Sequence, residues 1–240
     1  MNVRSVGAFG HRLTRLGLFS AFLVRESDSF TLIDTGLAGG AHRIVRVARR
    51  LSSQQPIGRL LLTHAHGDHI GSLDSLTWAL GQPEVAIGQR EARLLPKKPA
   101  QDRSLDPDEP ACRVKGSFPG ATTAPTHLLT DGELYGSLRV VATPGHTPGH
   151  MSYFDERDGT LYAGDALVTV GGTVHVSGFG PWYFPLPALA TWDRPTAVES
   201  ARRLAELPIR RYCAGHGRVI EGGPQLLQAG VQRAEARLAR

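Results

Sequence analysis

The sequence predicts an α/β protein built as a four-layer αββα sandwich, in which two mixed β-sheets pack face to face and helices cover their outer sides. Two observations support this class: short apolar strands alternate with helical segments in each half of the chain, and each helical segment is apolar on one side. The 240 residues, 41% of them hydrophobic, are enough for a sizeable core. The same alternation is compatible with a doubly wound parallel sheet. We expect residues 1–240 to form a single domain, since the chain has no internal repeat or clear linker.

The first half of the chain is predicted to begin with a hairpin, because apolar runs at 17–25 and 30–34 are separated by four polar or charged residues. Residues 41–51 are predicted to form a helix, with apolar side chains at helical spacing and arginines opposite them. A continuous apolar strand is expected at 59–63, and a helix with apolar positions that include Trp78 is expected at 70–80.

The rest of the chain follows a similar order. After a strand at 85–88, residues 96–125 are rich in Pro, Gly and charge and show no regular period, which is typical of a functional lid or an insertion. The remaining expected elements are strands at 138–142, 150–155 and 160–162, a Gly-rich loop at 171–187, a helix at 195–207, a strand at 211–214 and a helix from Pro224.

Composition and charge exclude several function classes. The 27 Lys and Arg residues outnumber the 22 Asp and Glu residues by five, but they are scattered and not interleaved with aromatic residues, so no nucleic-acid partner is expected. Cys112 and Cys213 cannot form a disulfide framework. No apolar run approaches the roughly 18 residues of a membrane-spanning helix, and the N-terminus does not resemble a secretory signal, so we expect a cytoplasmic protein with no membrane partner.

Three histidines and an aspartate lie close together in THAHGDHIG, directly after the strand expected at 59–63. They are His64, His66, Asp68 and His69. Three imidazoles at such close spacing would repel one another when protonated, and a divalent cation that accepts their lone pairs removes this difficulty. Gly67 permits the sharp backbone turn that such a loop needs. The loop is therefore a candidate metal site.

Three further segments place a His or Asp beside glycine at the end of an expected strand. They are His146 in TPGHTPGH, Asp165 in GDA and His216 in AGHG. These motifs, together with THAHGDH and the LIDTG segment at Asp34, occur in the order found in the metallo-β-lactamase-fold hydrolase superfamily. The chain resembles this superfamily over most of its length, in particular its glyoxalase II and lactonase branches.

The resemblance implies a fold, a metal site and a set of ligands. His64, His66 and His146 would hold one divalent metal ion, Asp68, His69 and His216 would hold a second, and Asp165 would bridge both. Members of the superfamily use zinc most often and iron or manganese in some cases. Nitrogen and oxygen donors without thiolate suit all three metals, so the ligands alone do not choose among them. Because zinc is the metal used most often, two zinc ions are the first expectation.

The expected reaction is hydrolysis by a metal-bridging hydroxide, because two cations that share a water molecule lower its pKa towards neutrality. One metal would polarise the substrate oxygen. Asp68 is the candidate catalytic residue, since a second carboxylate oxygen could orient the nucleophile and carry a proton to the leaving group.

The resemblance favours an ester, lactone or thioester of a small molecule as the substrate. A bridging Asp is typical of the glyoxalase II, lactonase and phosphodiesterase branches. Only 24 residues follow His216, too few for the glutathione-binding domain of glyoxalase II, and Val168 stands where acyl-homoserine lactonases often have Tyr. The alternatives are a phosphodiesterase or nuclease of the same fold, a β-lactam hydrolase, and a non-catalytic or redox metal-binding protein.

The sequence leaves several roles open. His150 would either orient a metal ligand or simply be a hydrogen-bonded strand residue, and Asp34 would either support the metal loops or cap a turn. Trp182, Tyr183 and Phe184 would either wall a substrate pocket or form a homodimer contact. The cationic residues of 96–125 are interpreted as a solvated loop.

Overall fold

The strands in the first half of the chain form one mixed sheet in a computed structural model that describes residues 1–97 and 114–240. Within this described part the sheet has seven strands, and their order in the sheet follows their order in the chain. The first four strands are antiparallel and the later pairings, from the fourth strand onward, are parallel. The strands are β1 (Asn2–Val6), β2 (Gly10–Arg15), β3 (Phe19–Arg25), β4 (Phe30–Ile33), β5 (Ile57–Leu62), β6 (Glu84–Gly88) and β7 (His127–Leu129).

The second half of the chain contributes the other large sheet and a short ribbon. The strands in this half are β8 (Leu134–Tyr135), β9 (Leu138–Ala142), β10 (Met151–Asp155), β11 (Thr160–Gly164), β12 (Leu167–Val168), β13 (His175–Val176), β14 (Arg211–Ala214) and β15 (Ile220–Glu221). The second sheet has the order β15-β14-β11-β10-β9-β8 and contains one parallel pair, β11 with β14. β12 and β13 form the separate two-stranded ribbon.

Helices cover the outer sides of both sheets. In the described residues they are α1 (Ala41–Leu51), α2 (Gly67–Ile70), α3 (Leu73–Leu80), α4 (Leu186–Ala190), α5 (Arg194–Leu204) and α6 (Gln225–Leu238). The helix α1 packs Ile44 and Ala48 onto the first sheet, because its arginines occupy the opposite side and remain in solvent. On the second sheet, α5 and α6 pack their apolar sides in the same manner.

The two large sheets face each other across a shared apolar layer. This layer joins Phe22, Ile33 and Leu61 of the first sheet to Tyr153 and Tyr162 of the second. Burial of these large side chains on the inner face of both sheets holds the halves together. The four-layer αββα arrangement predicted from the sequence is confirmed.

Some elements differ from those predicted. The predicted helix at 70–80 is interrupted at Gly71 and Ser72, because the backbone of Gly71 lies against that of Ala38 and the Ser72 hydroxyl bonds to the carbonyl of Leu37. Trp78, one of the apolar positions of the predicted helix, is 83% exposed. The strands β1 and β2 were not predicted, and the predicted loop at 171–187 contains β13 and the start of α4.

The irregular segment predicted at 96–125 is described only in part. Residues 98–113, and with them Cys112, lie outside the described residues, whereas Pro96 and Ala121 form an isolated bridge. Cys213 is buried between the sheets as an apolar side chain. No helix within 1–97 and 114–240 combines the length and the apolar character that crossing a bilayer requires.

Candidate metal centre

The seven candidate ligands follow the ends of four strands that come from both sheets. His64, His66, Asp68 and His69 follow β5, whereas His146, Asp165 and His216 follow β9, β11 and β14. These strands end at one edge of the sandwich, so their loops converge there. Six of the seven residues are buried, and Asp68 is half-buried. Loops on a rigid scaffold are where binding groups are usually held.

The first cluster brings three imidazole nitrogens together. Nδ1 of His66 lies 3.0 Å from Nε2 of His64 and 3.0 Å from Nε2 of His146. Burial lowers the pKa of His66, and it lowers the pKa values of His64 and His146 well below the ordinary value. The three rings are therefore neutral, and each carries one proton and one lone pair.

The hydrogen-bond partners of the three rings assign these protons. Nε2 of His66 donates to the carbonyl of Lys115 at 2.9 Å, since a carbonyl can only accept. The hydroxyl of Thr63 donates its proton to Asp34. Its oxygen, 3.0 Å from Nδ1 of His64, therefore accepts the proton of that nitrogen. Both rings therefore turn a lone pair towards the centre of the cluster.

The tautomer of His146 follows from a chain of hydroxyl groups. Thr191 donates to the carbonyl of Pro187, so it accepts from the hydroxyl of Ser177. Ser177 then accepts from Nδ1 of His146 at 3.0 Å, which leaves a lone pair on Nε2 of that ring. Three lone pairs thus face one another with no proton among them. A cation at this point satisfies all three, as in metal sites whose histidines are oriented by their second nitrogen.

The second cluster attracts positive charge. Nε2 of His216 lies 3.2 Å from Oδ2 of Asp68, and Nε2 of His69 lies 3.7 Å from the same oxygen. Burial opposes a charge on both rings. The attraction of Asp165 and the other nearby carboxylates is stronger than this effect of burial. The pKa of His69 is therefore raised well above its ordinary value, and the pKa of His216 is raised to about 9. A divalent cation would compete with the protons for these nitrogens.

Asp165 lies between the two clusters. Its Oδ1 is 3.4 Å from Nε2 of His69, and its Oδ2 is 3.1 Å from Nε2 of His216 and 3.5 Å from Nε2 of His146. Among the described residues, neither Oδ1 of Asp165 nor Nε2 of His69 has a hydrogen-bond partner, although both atoms are buried. A Cβ atom at Gly215 would lie 2.3 Å from Oδ1 of Asp165, so only glycine leaves this space open.

The donor set fits divalent cations. Five imidazoles and two carboxylates form three overlapping groups of ligand atoms, and within each group all atoms lie within 4.8 Å of one another. Nitrogen and oxygen donors of this kind suit zinc, iron and manganese. The structure therefore brings together all seven residues that the sequence singled out.

His150 and Asp34 both act on candidate ligands. Nε2 of His150 accepts the backbone N–H of Asp165 at 3.1 Å, and its Nδ1 donates to Thr143 at 2.8 Å. Burial lowers the pKa of His150 to about 3, which is consistent with this neutral ring. Asp34 accepts from Nδ1 of His69 and from Thr63. The structure therefore favours a supporting role for both residues, in which each holds a candidate ligand in place.

Glu91 is a further residue beside the candidate ligands, and the sequence does not identify it. It lies fully buried in a short 3₁₀ helix (Glu91–Leu94), where it accepts from the backbone N–H groups of Ala65 and Gly149 and from the hydroxyl of Thr147. It therefore ties the loop between His64 and His66 to the loop after His146. Burial raises its pKa to about 7. A single acidic residue after a strand has no sequence signal that marks it.

Aromatic rings surround the candidate ligands. The ring centroids of Phe19 and Phe184 lie 5.3 and 5.4 Å from that of His216. The ring centroid of Phe118 lies 4.6 Å from that of His66. The predicted aromatic loop thus places Phe184 at the site, while Trp182 and Tyr183 beside it are 89% and 56% exposed. Phe19 and Phe118 were not identified from the sequence.

Several known proteins are similar to this chain. Residues 16–216 match the metallo-beta-lactamase superfamily. The Bacillus subtilis protein YobT is 42% identical over 217 residues, which are 90% of each chain. A hydroxyacylglutathione hydrolase of Legionella pneumophila is 31% identical over 157 residues, which cover 63% of this chain and 48% of that protein. A metallo-beta-lactamase from Pontibacter korlensis superposes with a TM-score of 0.69 at 17% identity, covering 98% of each chain.

The matched region contains all seven candidate ligands, from His64 to His216, and its superfamily comprises hydrolases that bind divalent metals. The likeness to solved structures confirms the fold. The chain belongs to the metallo-beta-lactamase superfamily and is a hydrolase of that family.

Proposed function

We propose that the protein hydrolyses a carboxylic ester, lactone or thioester with two divalent cations, of which zinc is the first candidate. The position of Asp165 carries this proposal. Its two carboxylate oxygens lie within 3.5 Å of nitrogens that belong to different clusters, so one side chain can serve two cations at once. A carboxylate shared in this way would let two cations act jointly on one substrate.

Each cluster has a separate role in this proposal. His64, His66 and His146 would hold one cation, and Asp68, His69 and His216 would hold the other, with Asp165 shared. When bound, two such cations supply an acidified water molecule as the nucleophile and polarise the substrate's carbonyl oxygen.

Asp68 is suited to move a proton. Its side chain is 26% exposed, whereas those of His69, His216 and Asp165 are at most 4% exposed. Burial favours the neutral acid, but His69 and His216 outweigh it and lower the pKa of Asp68 to about 2. The side chain is therefore ionised, and its partial exposure puts it where it would take up a proton and pass it to the leaving group.

The surroundings favour an acyl substrate over a phosphodiester. Phe19, Phe118 and Phe184 line the candidate ligands, and aromatic rings suit the apolar part of an ester or thioester. The relative from Legionella pneumophila is named for hydrolysis of hydroxyacylglutathione, which is a thioester. Phosphodiester cleavage, the second candidate from the sequence, would call for cationic groups in these positions.

Metal analysis and a substrate panel on one sample test this proposal. The purified protein would be analysed for zinc, iron and manganese and assayed with a lactone, a thioester, an aryl ester and bis(p-nitrophenyl) phosphate. We expect about two metal ions per chain and metal-dependent turnover of an acyl substrate.

A pair of histidine variants provides the control. His146→Ala removes a candidate ligand and should abolish both metal retention and turnover. His127→Ala alters a histidine that is paired with Glu133 away from the clusters, and it should change neither. Turnover of the phosphodiester alone would replace the proposed substrate class, and the absence of bound metal after reconstitution would overturn the proposal altogether.

A further inference from the structure

Among the described residues, six large apolar side chains are exposed in the two segments that carry Phe19 and Phe184, whose rings pack against His216. They are Leu16, Leu18, Trp182, Tyr183, Leu186 and Leu189, with exposed fractions from 36% to 89%. We call this set the apolar rim. Exposed apolar side chains that are grouped together mark a binding surface more often than scattered ones do.

The apolar rim borders His216 from two sides. On one side, Leu16 and Leu18 form the tip of the β2–β3 hairpin, and the next residue, Phe19, packs its ring against His216. On the other side, Trp182 and Tyr183 directly precede Phe184, which packs against the same ring. Each part of the rim is therefore joined directly along the chain to a ring that packs against a candidate ligand.

The rim is anchored to the candidate ligands through the backbone. Ser20 donates its N–H to the carbonyl of Gly215 at 3.0 Å, which fixes the hairpin beside His216. After α4, Trp192 donates its N–H to the carbonyl of His146 at 2.9 Å. A surface held in this way loses little conformational freedom when it binds a ligand.

Both parts of the rim come from uncharged sequence. No Lys, Arg, Asp or Glu occurs between Arg15 and Arg25, or between Asp165 and Asp193. A polyanion would find no cationic partner in these two segments, whereas a methylene chain would gain from contact with them. The chemistry of the rim matches a neutral, extended apolar group.

We propose that the apolar rim receives the long unbranched acyl chain of the substrate, while its ester or thioester carbonyl lies at the candidate metal centre. This proposal rests on the proposed function and narrows it to long-chain acyl substrates. A second copy of the chain is the other occupant to consider, but a partner seated on the rim would also cover the approach to His216 from both sides.

A chain-length comparison tests the proposal on the metal-loaded protein. The substrates are p-nitrophenyl butanoate and p-nitrophenyl decanoate, below the concentrations at which they form micelles. We expect kcat/KM for the decanoate to exceed that for the butanoate by about tenfold or more, mainly through a lower KM, because each buried methylene favours binding.

Two variants locate the origin of this preference. The double variant Trp182→Ser with Leu189→Ser should reduce the ratio of the two kcat/KM values by about tenfold, since it removes apolar contact area from the rim. Trp78→Ser is the control, because Trp78 is also a largely exposed tryptophan, at 83%, but lines a separate cavity of about 520 Å³ with Asp74 and Thr126. The control should keep the ratio of the unmodified protein.

Equal kcat/KM values for the two esters, or an unchanged ratio in the double variant, would overturn the proposal. It would also be overturned if the unmodified protein sediments as a dimer and the double variant as a monomer, because the rim would then be the contact between two copies of the chain. Hydrolysis of neither ester would contradict the proposed function. In that case the binding affinities for sodium decanoate and sodium butanoate, measured by calorimetry, test the rim separately. Tighter binding of decanoate that the double variant loses would support the proposal, and equal binding would reject it.

Discussion

Asp34 accepts a hydrogen bond from Nδ1 of His69 at 2.8 Å, and the same carboxylate accepts the hydroxyl proton of Thr63. Because Thr63 in turn accepts from His64, one side chain fixes the tautomers of a candidate ligand in each cluster. The backbone of Asp34 has a left-handed φ of 58°, a conformation that Asp and Asn tolerate better than most residues.

Replacement of this carboxylate should weaken metal binding. In Asp34→Asn, the amide nitrogen would face either Nδ1 of His69 or the N–H and hydroxyl of Thr63. In the first case His69 must move its proton to Nε2, which removes the lone pair that a metal needs. We expect zinc affinity to fall by about 10- to 100-fold, measured by competition with a chromophoric chelator.

Asp28→Asn is the matched control for this prediction, because Asp28 is an exposed aspartate bonded to its neighbour Ser29. It should bind zinc as the unmodified protein does. Equal affinity in the Asp34 variant would show that the orientation of His69 does not depend on Asp34.

Asp68→Asn should separate turnover from metal binding. The amide cannot accept and release a proton as a carboxylate does, while its remaining oxygen can still lie near His216. We expect kcat for an acyl substrate to fall by about 10²- to 10⁴-fold with metal content largely retained, measured by steady-state kinetics and elemental analysis. A variant that keeps both metals and full turnover would exclude Asp68 as the proton carrier.

His150→Ala should destabilise the fold. The backbone N–H of Asp165 would lose its acceptor in a fully buried place, and an unsatisfied buried donor costs about 1–3 kcal/mol. Urea unfolding at neutral pH would measure the loss. His175→Ala, at a half-buried histidine in β13, should cost less, and an equal loss in both variants would argue against a special role for the His150 bond.

Glu91 should make stability depend on pH. Burial raises its pKa from 4.5 to about 7 in the folded protein, so between these values the folded state binds more protons than the unfolded state. The stability that Glu91 contributes is therefore complete below pH 4.5 and is lost as the pH rises towards and through 7.

Urea unfolding of chelator-treated protein at several pH values tests this sign. Glu91→Gln cannot titrate, so the free energy of unfolding should decline less from mildly acidic to mildly alkaline pH in the variant than in the unmodified protein. The histidines titrate alike in both proteins, so their contribution to the pH dependence of the free energy of unfolding cancels when the two proteins are compared. A steeper decline in the variant would contradict the raised pKa of Glu91.

The sequence predicts the candidate ligands because each lies in a short motif at the end of an apolar strand and these motifs occur in the order of the superfamily that the chain resembles. His150 and Asp34 belong to the same motifs, so only their partners had to come from the structure. Glu91 and Phe118 become part of the site through contacts with distant loops, which no local pattern records. The strand β1 was missed for a different reason, since four of its five residues are exposed and it has no buried apolar side to reveal it.

The distribution of the seven donors has a consequence for unfolding. Four come from loops of the first sheet and three from loops of the second, so neither half of the chain holds a complete set. Cations bound only by the native chain stabilise it by mass action, and here they would also clasp the two halves together. Separation of the sheets would release the metal, so unfolding of the metal-loaded protein should free the cations in the same transition.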